Sequence, residues 1–195
     1  MTLQNPELLL PHGFDYIKHV MSYSKGIALY EYLVANLNWQ QPQIQVFGKL
    51  HRIPRLQSFI ADNDVNYSYS KQTLSSEHWP SVLDDMRMRL QKTYGYRFNA
   101  LLVNWYRDGN DCMGWHSDDE PELGINPFIV SISLGASRKF VIKEKTSKKK
   151  YNILLENGSG LLMHSTSQSG YQHALPKQTR VKGGRINLTF RSVGQ

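Results

Sequence analysis

Between Arg185 and Arg191 the side chains alternate without a break, Ile186, Leu188 and Phe190 on one side of an extended chain and Arg185, Asn187, Thr189 and Arg191 on the other. Such a segment needs a sheet with one face buried in apolar core. The opposite row suits the wet interior of a cup that takes up an anion better than it suits bulk water. Ala100–Tyr106 divides similarly, with Leu101, Val103 and Trp105 opposite Leu102, Asn104 and Tyr106. Further short runs rich in β-branched and aromatic residues, Phe128–Leu134, Lys139–Lys143, Tyr151–Leu155 and Gly160–His164, are bounded by Gly, Asn, Asp or Ser and read as strands. Upstream, Leu29, Leu33 and Leu37 predict a helix following Ser24. Trp79, Leu83, Met86 and Leu90 predict a second, starting at Pro80 and giving way at Gly95. Ile44–Leu50 reads as a short strand between them, and residues 1–22 as an irregular arm. The expected fold is α+β and mainly β, with helices on one side of a β-sandwich or jelly roll.

A chain of 195 residues with no internal repeat and no linker composition is read as one domain. The one cysteine, Cys112, allows no intrachain disulfide, and residues 1–11 lack a basic, then apolar, leader. The expectation is a cytoplasmic protein (nuclear in a eukaryote), not secreted, not membrane-bound and monomeric. A net charge of +7 favours a polyanionic partner, although the lysines at 145 and 148–150 equally describe a solvated hairpin tip.

His116-Ser117-Asp118 places an imidazole and a carboxylate two residues apart, able to grip one ion from the same side. Two histidines and one carboxylate are the facial set that holds non-haem iron(II) with positions left open. His173 is the preferred third ligand and His164 the alternative. Zinc is the competing metal, but there is no cysteine cluster for a structural site. Arg185 and Arg191 call for a bound dicarboxylate, because guanidinium clamps carboxylate bidentately. A chelating 2-oxo acid beside the metal satisfies both requirements.

From Gln45 to Arg191 the chain resembles the iron(II)/2-oxoglutarate-dependent AlkB-type dealkylases of alkylated nucleic acids. The likeness rests on Asn104-x-Tyr106, Gly114-Trp115-His116-Ser117-Asp118-Asp119-Glu120, Ser131-x-Ser133-Leu134-Gly135 with Arg138-x-Phe140, and Arg185-x-Asn187-x-Thr189-Phe190-Arg191. The resemblance implies a double-stranded β-helix core over about 96–195 with flanking N-terminal helices. It implies Fe(II) held by His116, Asp118 and His173, with 2-oxoglutarate and O₂ as cosubstrates. Arg185 would take one carboxylate of 2-oxoglutarate and Arg191 the other, aided by Asn104, Tyr106 and Asn187. Residues about 44–75 would form a nucleotide-recognition lid in which Arg55, Tyr67 and Tyr69 line the pocket for an extruded base and Phe47 fills the gap it leaves. Glu120 would contact the base edge. The implied activity is oxidative dealkylation of bases such as 1-methyladenine and 3-methylcytosine in DNA, with RNA as the other polymer. Two rivals stand beside it: an oxygenase of the same chemistry acting on a protein or small molecule, and a non-catalytic nucleic-acid-binding module.

Overall fold

A computed structural model of the chain describes residues 10–46, 48–63, 65, 68–69, 72–73 and 77–194. The elements in chain order are β1 (Phe14–Ile17), α1 (Tyr23–Asn36), β2 (Gln43–Val46), β3 (Lys49–Arg52), β4 (Leu56–Ala61), β5 (Ser68–Tyr69), β6 (Gln72–Thr73), α2 (Ser81–Tyr94), β7 (Ala100–Tyr106), β8 (Met113–His116), β9 (Ile129–Gly135), β10 (Arg138–Glu144), β11 (Lys150–Leu155), β12 (Ser159–Met163), the short α3 (Thr166–Gly170), β13 (Tyr171–Leu175) and β14 (Arg185–Arg191). Six strands form one antiparallel sheet in the order β1-β12-β9-β14-β7-β4, and four form a second, β11-β10-β13-β8. From β7 to β14 the chain passes repeatedly between the two. No helix among the described residues is long and apolar enough to cross a membrane.

Two apolar layers follow from the alternation. On one face of the larger sheet, Leu101 and Val103, Val130, Ile132 and Leu134, and Ile186, Leu188 and Phe190 meet Leu29 and Leu33 of α1 and Leu83 and Leu90 of α2. Each such fully buried side chain contributes about 1.5–3 kcal/mol relative to exposure. The opposite face meets the smaller sheet through Tyr106, Ile129, Phe140, Ile142, Ile153 and Leu175. The order is therefore helices, large sheet, small sheet. Ser22 caps α1 through its hydroxyl, and Gly95 ends α2 in the left-handed region (φ 72°) that favours glycine.

Several expectations need correction. Phe14–Ile17, placed in an irregular arm, is a sheet strand paired antiparallel with β12. Ile44–Leu50 is not one strand but parts of two, β2 and β3, paired as a hairpin. The stretch 44–75 is not all lid: β4 joins the large sheet beside β7, its buried Gln57 and Ser58 hiding the pattern expected of a core strand. Pro80 is the N-cap of α2, extended at ψ 140°, and the first helical residue is Ser81. His173 lies within β13, a strand absent from the runs predicted from sequence.

Arg138, at the start of β10, has no solvent exposure. Its guanidinium donates to the carbonyls of Asp108, Asp111 and Pro176, each at 2.9 Å, and to Gln178 Oε1 at 3.2 Å. It thereby ties the turn entering β8 to the one leaving β13. Gly109 allows that closeness, since a Cβ there would sit 1.8 Å from the Gln178 carbonyl oxygen. Removing Arg138 strands several buried acceptors, each at a cost of about 1–3 kcal/mol. Arg138→Met is therefore expected to lose about 3 kcal/mol or more of stability, seen as a lower urea midpoint at unchanged m-value.

Candidate functional site

Between the sheets lies a cavity lined by Asn104, Tyr106, His116, Asp118, Ser131, Phe140, His173, Arg185, Asn187, Thr189 and Arg191, with Leu102, Met113, Met163 and Leu175 as its apolar walls. The large sheet contributes the polar rows of β7 and β14. The small sheet contributes His116 from the end of β8 and His173 from the middle of β13.

His116 and His173 are cross-strand partners, and their ring centroids stand 4.3 Å apart. Asp118, two residues beyond the strand end, lies with Oδ1 3.9 Å from His116 Nε2 and Oδ2 3.7 Å from His173 Nε2. One ligand atom from each residue falls within 4.8 Å of the others, a spacing that one ion at their centre can bridge. His116 Nδ1 donates to the Gly114 carbonyl at 2.9 Å, which leaves the Nε2 lone pair for a ligand. His164, the alternative ligand, pairs instead with Asp15 at 2.8 Å.

Electrostatics prepare these groups for a cation. Burial lowers the pKa of both imidazoles, overriding the attraction of Asp118, so they stand neutral. Burial alone would raise the Asp118 carboxyl, but the positive charge of Arg191 beside it leads the influences that hold it below the usual carboxylate range. Arg191 Nη2 donates to Asp118 Oδ1 at 2.6 Å. The Asp118 backbone amide donates to Gln168 Oε1 at 2.8 Å. Two imidazole nitrogens and one ionised carboxylate fit a divalent transition metal such as iron(II).

Arg185 is the unusual group. It is 1% exposed, and no carboxylate lies within ion-pair distance of it among the described residues. Its Nη2 donates to Ser133 Oγ (2.8 Å) and Asn187 Oδ1 (3.2 Å), its guanidinium stands 5.5 Å from the centre of the Tyr106 ring, and its Nε has no partner. Burial pushes its pKa down to about 10, still far above neutrality. A buried cation left with an open donor is a site for an anion. Asn187 Nδ2 in turn donates to Ser131 Oγ and Thr189 Oγ1, completing a polar floor.

Of the other residues singled out from sequence, Asn104 and Tyr106 line the cavity. Arg55 is buried with its Nε on Asn104 Oδ1 at 2.7 Å, behind the cavity wall. Glu120 is partly buried, its Oε2 unpartnered, and burial raises its pKa. Phe47 and Tyr67 lie outside the described residues, as does the side chain of Tyr69. Sequence reasoning missed the role of Gln168. It also gave none to Ser131, Ser133 and Thr189, whose polar alternation with apolar neighbours was the available signal.

The comparisons with known proteins agree with this geometry. Residues 13–191 match the model of the 2OG-Fe(II) oxygenase superfamily. The chain is 39% identical over 159 residues to the bovine (Bos taurus) DNA oxidative demethylase ALKBH2, an alignment covering 77% of this chain and 57% of that protein. It is 35% identical over 173 residues to the human (Homo sapiens) alpha-ketoglutarate-dependent dioxygenase alkB homolog 3, covering 84% and 60%. The chain thus spans about three fifths of the length of these curated relatives. Among solved structures, OsALKBH1 superposes with a TM-score of 0.68 at 19% identity, over 94% of this chain and all of that one. An oxidoreductase of the 2OG-Fe(II) oxygenase family from Burkholderia pseudomallei gives 0.62 at 15%, over 94% and 86%. With its two-histidine, one-carboxylate cluster seated beside a buried arginine between antiparallel sheets, the chain belongs to the 2OG-Fe(II) oxygenase superfamily.

Proposed function

We propose that this chain removes alkyl groups oxidatively from the nitrogens of nucleic-acid bases, DNA foremost, with His116, Asp118 and His173 as ligands to iron(II) and Arg185 as the anchor of 2-oxoglutarate. The observation that carries this reading is Arg185, a buried guanidinium with an open donor in the cavity that holds the three ligand atoms. When bound, iron(II) with 2-oxoglutarate and O₂ supplies an oxidant able to hydroxylate a C–H bond, with succinate and CO₂ as by-products. A hydroxylated N-methyl carbon then leaves as formaldehyde: its hydroxyl proton is released and the N–C bond electrons return to the ring nitrogen as a lone pair.

The chain's own contributions are positioning and charge. Arg191 fixes Asp118 and adds a second positive charge beside the keto acid. Arg55 sets the rotamer of Asn104, which with Tyr106 and Asn187 completes the cosubstrate pocket. The unpartnered Glu120 Oε2 is suited to a base made cationic by alkylation, an attraction strengthened by partial desolvation. In this reading β7–β14 constitute a double-stranded β-helix. The hairpins flanking β4, β2 with β3 and β5 with β6, form the lid over an extruded base. The DNA substrate draws support from relatives named DNA oxidative demethylases. All the proposed ligands come from one chain, in keeping with a monomer in the cytoplasm or nucleus.

Oligonucleotides carrying 1-methyladenine or 3-methylcytosine test the activity. Mass spectrometry is expected to show loss of the methyl mass only with iron(II) and 2-oxoglutarate both present, and none with H116A, D118A or H173A. Arg185→Met should raise the 2-oxoglutarate concentration needed for half-maximal turnover by about tenfold or more, the worth of a charged hydrogen bond. An unchanged requirement removes Arg185 from its role.

The buried imidazoles also predict a pH response of the metal-free protein. His173 is pushed down to about 3 by burial, helped by His116, whereas an unfolded histidine titrates near 6.5. Between those values the unfolded chain binds the extra proton, so stability is complete above about pH 6.5 and falls as pH drops. The depressed Asp118 acts in the same direction, at lower pH. Urea unfolding in chelator from about pH 7.5 to 5 is expected to show that decline, with a shallower one in His173→Asn.

A further inference from the structure

The outer face of the four-stranded sheet carries features that the cavity chemistry leaves unused. Trp115 precedes His116 on β8; it does not line the cavity, its indole meets Lys143 on the outer side of the sheet, and it is 41% exposed. Lys143 Nζ lies 4.2 Å from the centre of its ring and Lys150 Nζ 5.8 Å. These lysines are cross-strand partners on β10 and β11, and β13 stands between β10 and β8, so the contacts bridge the sheet. Nearby, exposed Lys149 lies 4.9 Å from the Tyr151 ring centre. Over 143–150 five lysines stand against Glu144, and Lys145 meets Asp119 at 3.7 Å.

We infer that this face docks the unpaired strand flanking the nucleotide held in the cavity, with Trp115 stacking one base and Lys143 and Lys150 pairing with its phosphates. The inference rests on the base-dealkylation reading and extends it to the form of the polymer. Two ammonium groups drawn to one indole repel each other, and a phosphate between them relieves that repulsion while freeing a ring face. Aromatic surface among lysines is the chemistry that holds single strands, because every unpaired base offers a face and every nucleotide a charge. A duplex keeps its base faces stacked internally and gives Trp115 nothing to cover. The position also fits. His116, the very next residue, points into the cavity, so a strand crossing the β8 edge passes from the reacting base to the indole.

Binding of an unmodified oligothymidylate to the full chain loaded with iron(II) and 2-oxoglutarate tests this, by fluorescence anisotropy at several salt concentrations. Trp115→Ala is expected to weaken binding about tenfold with the salt slope unchanged, whereas Trp115→Phe retains most of the affinity. The double variant K143A/K150A should flatten the slope by about 1.4, two phosphate contacts' worth on a single strand. Blunt duplex of the same length should be indifferent to Trp115→Ala. Equal single-strand affinities for wild type and W115A, or a slope unmoved in the lysine variant, overturn the inference. Turnover of an alkylated mononucleotide, too short to reach Trp115, should be the same in all variants. Its absence in wild type would count against the dealkylation reading while the binding series still decides the surface.

Discussion

Burying a guanidinium is costly unless it meets a counter-charge, and β14 buries two. Arg191 is compensated within the chain, its Nη2 on Asp118. Arg185, six residues away on the same face, has a serine hydroxyl and an amide oxygen as its hydrogen-bond partners among the described residues, and an aromatic ring nearby. That asymmetry organises the site. One arginine holds the Asp118 carboxylate in place. The other holds a charge deficit that a dicarboxylate cosubstrate can fill.

The surrounding architecture makes the deficit sustainable. Ile186, Leu188 and Phe190, on the reverse of the same strand, are fully buried against the helices and lock β14 between β7 and β9. The strand therefore cannot rotate its arginines out to water without exposing the largest apolar layer of the protein. The small sheet supplies the complementary half. Antiparallel pairing brings His173 opposite His116 although 57 residues separate them, and Arg138 clamps the turns beyond both strands. Metal ligands placed on paired strands are held more rigidly than ligands on loops.

Much of this was legible in the sequence because period-two alternation survives where one face is apolar. It located β7 and β14 closely and assigned the polar rows to a cavity. Legibility failed where burial is two-sided or pairing is long-range. In β4 the buried Gln57 and Ser58 read as loop chemistry. In β1 four residues at a sheet edge carry too little pattern to separate from an arm. His173 was singled out as a candidate, yet its strand was not predicted, since Tyr171-Gln172-His173-Ala174-Leu175 ahead of Pro176 reads like an exit from structure. Gln168 had no local signal: only the fold brings its side chain to the Asp118 amide, 50 residues away.

Strand β8 joins the two surfaces of the small sheet. His116 lines the cavity, whereas the residue before it meets the lysines of the outer face. That residue is Trp115, an aromatic group that would be wasteful in plain solvent and that two lysines already attend. A short strand at the sheet edge thus presents the inside of the site and its approach within one peptide unit. Among the described residues β8 pairs with β13 and ends its sheet, so the two faces meet along its outer edge. The same geometry accounts for the excess positive charge on this side of the molecule. Lys143 of β10 and Lys150 of β11 gather about Trp115 on the outer face, where the proposed docking surface for a flanking strand lies.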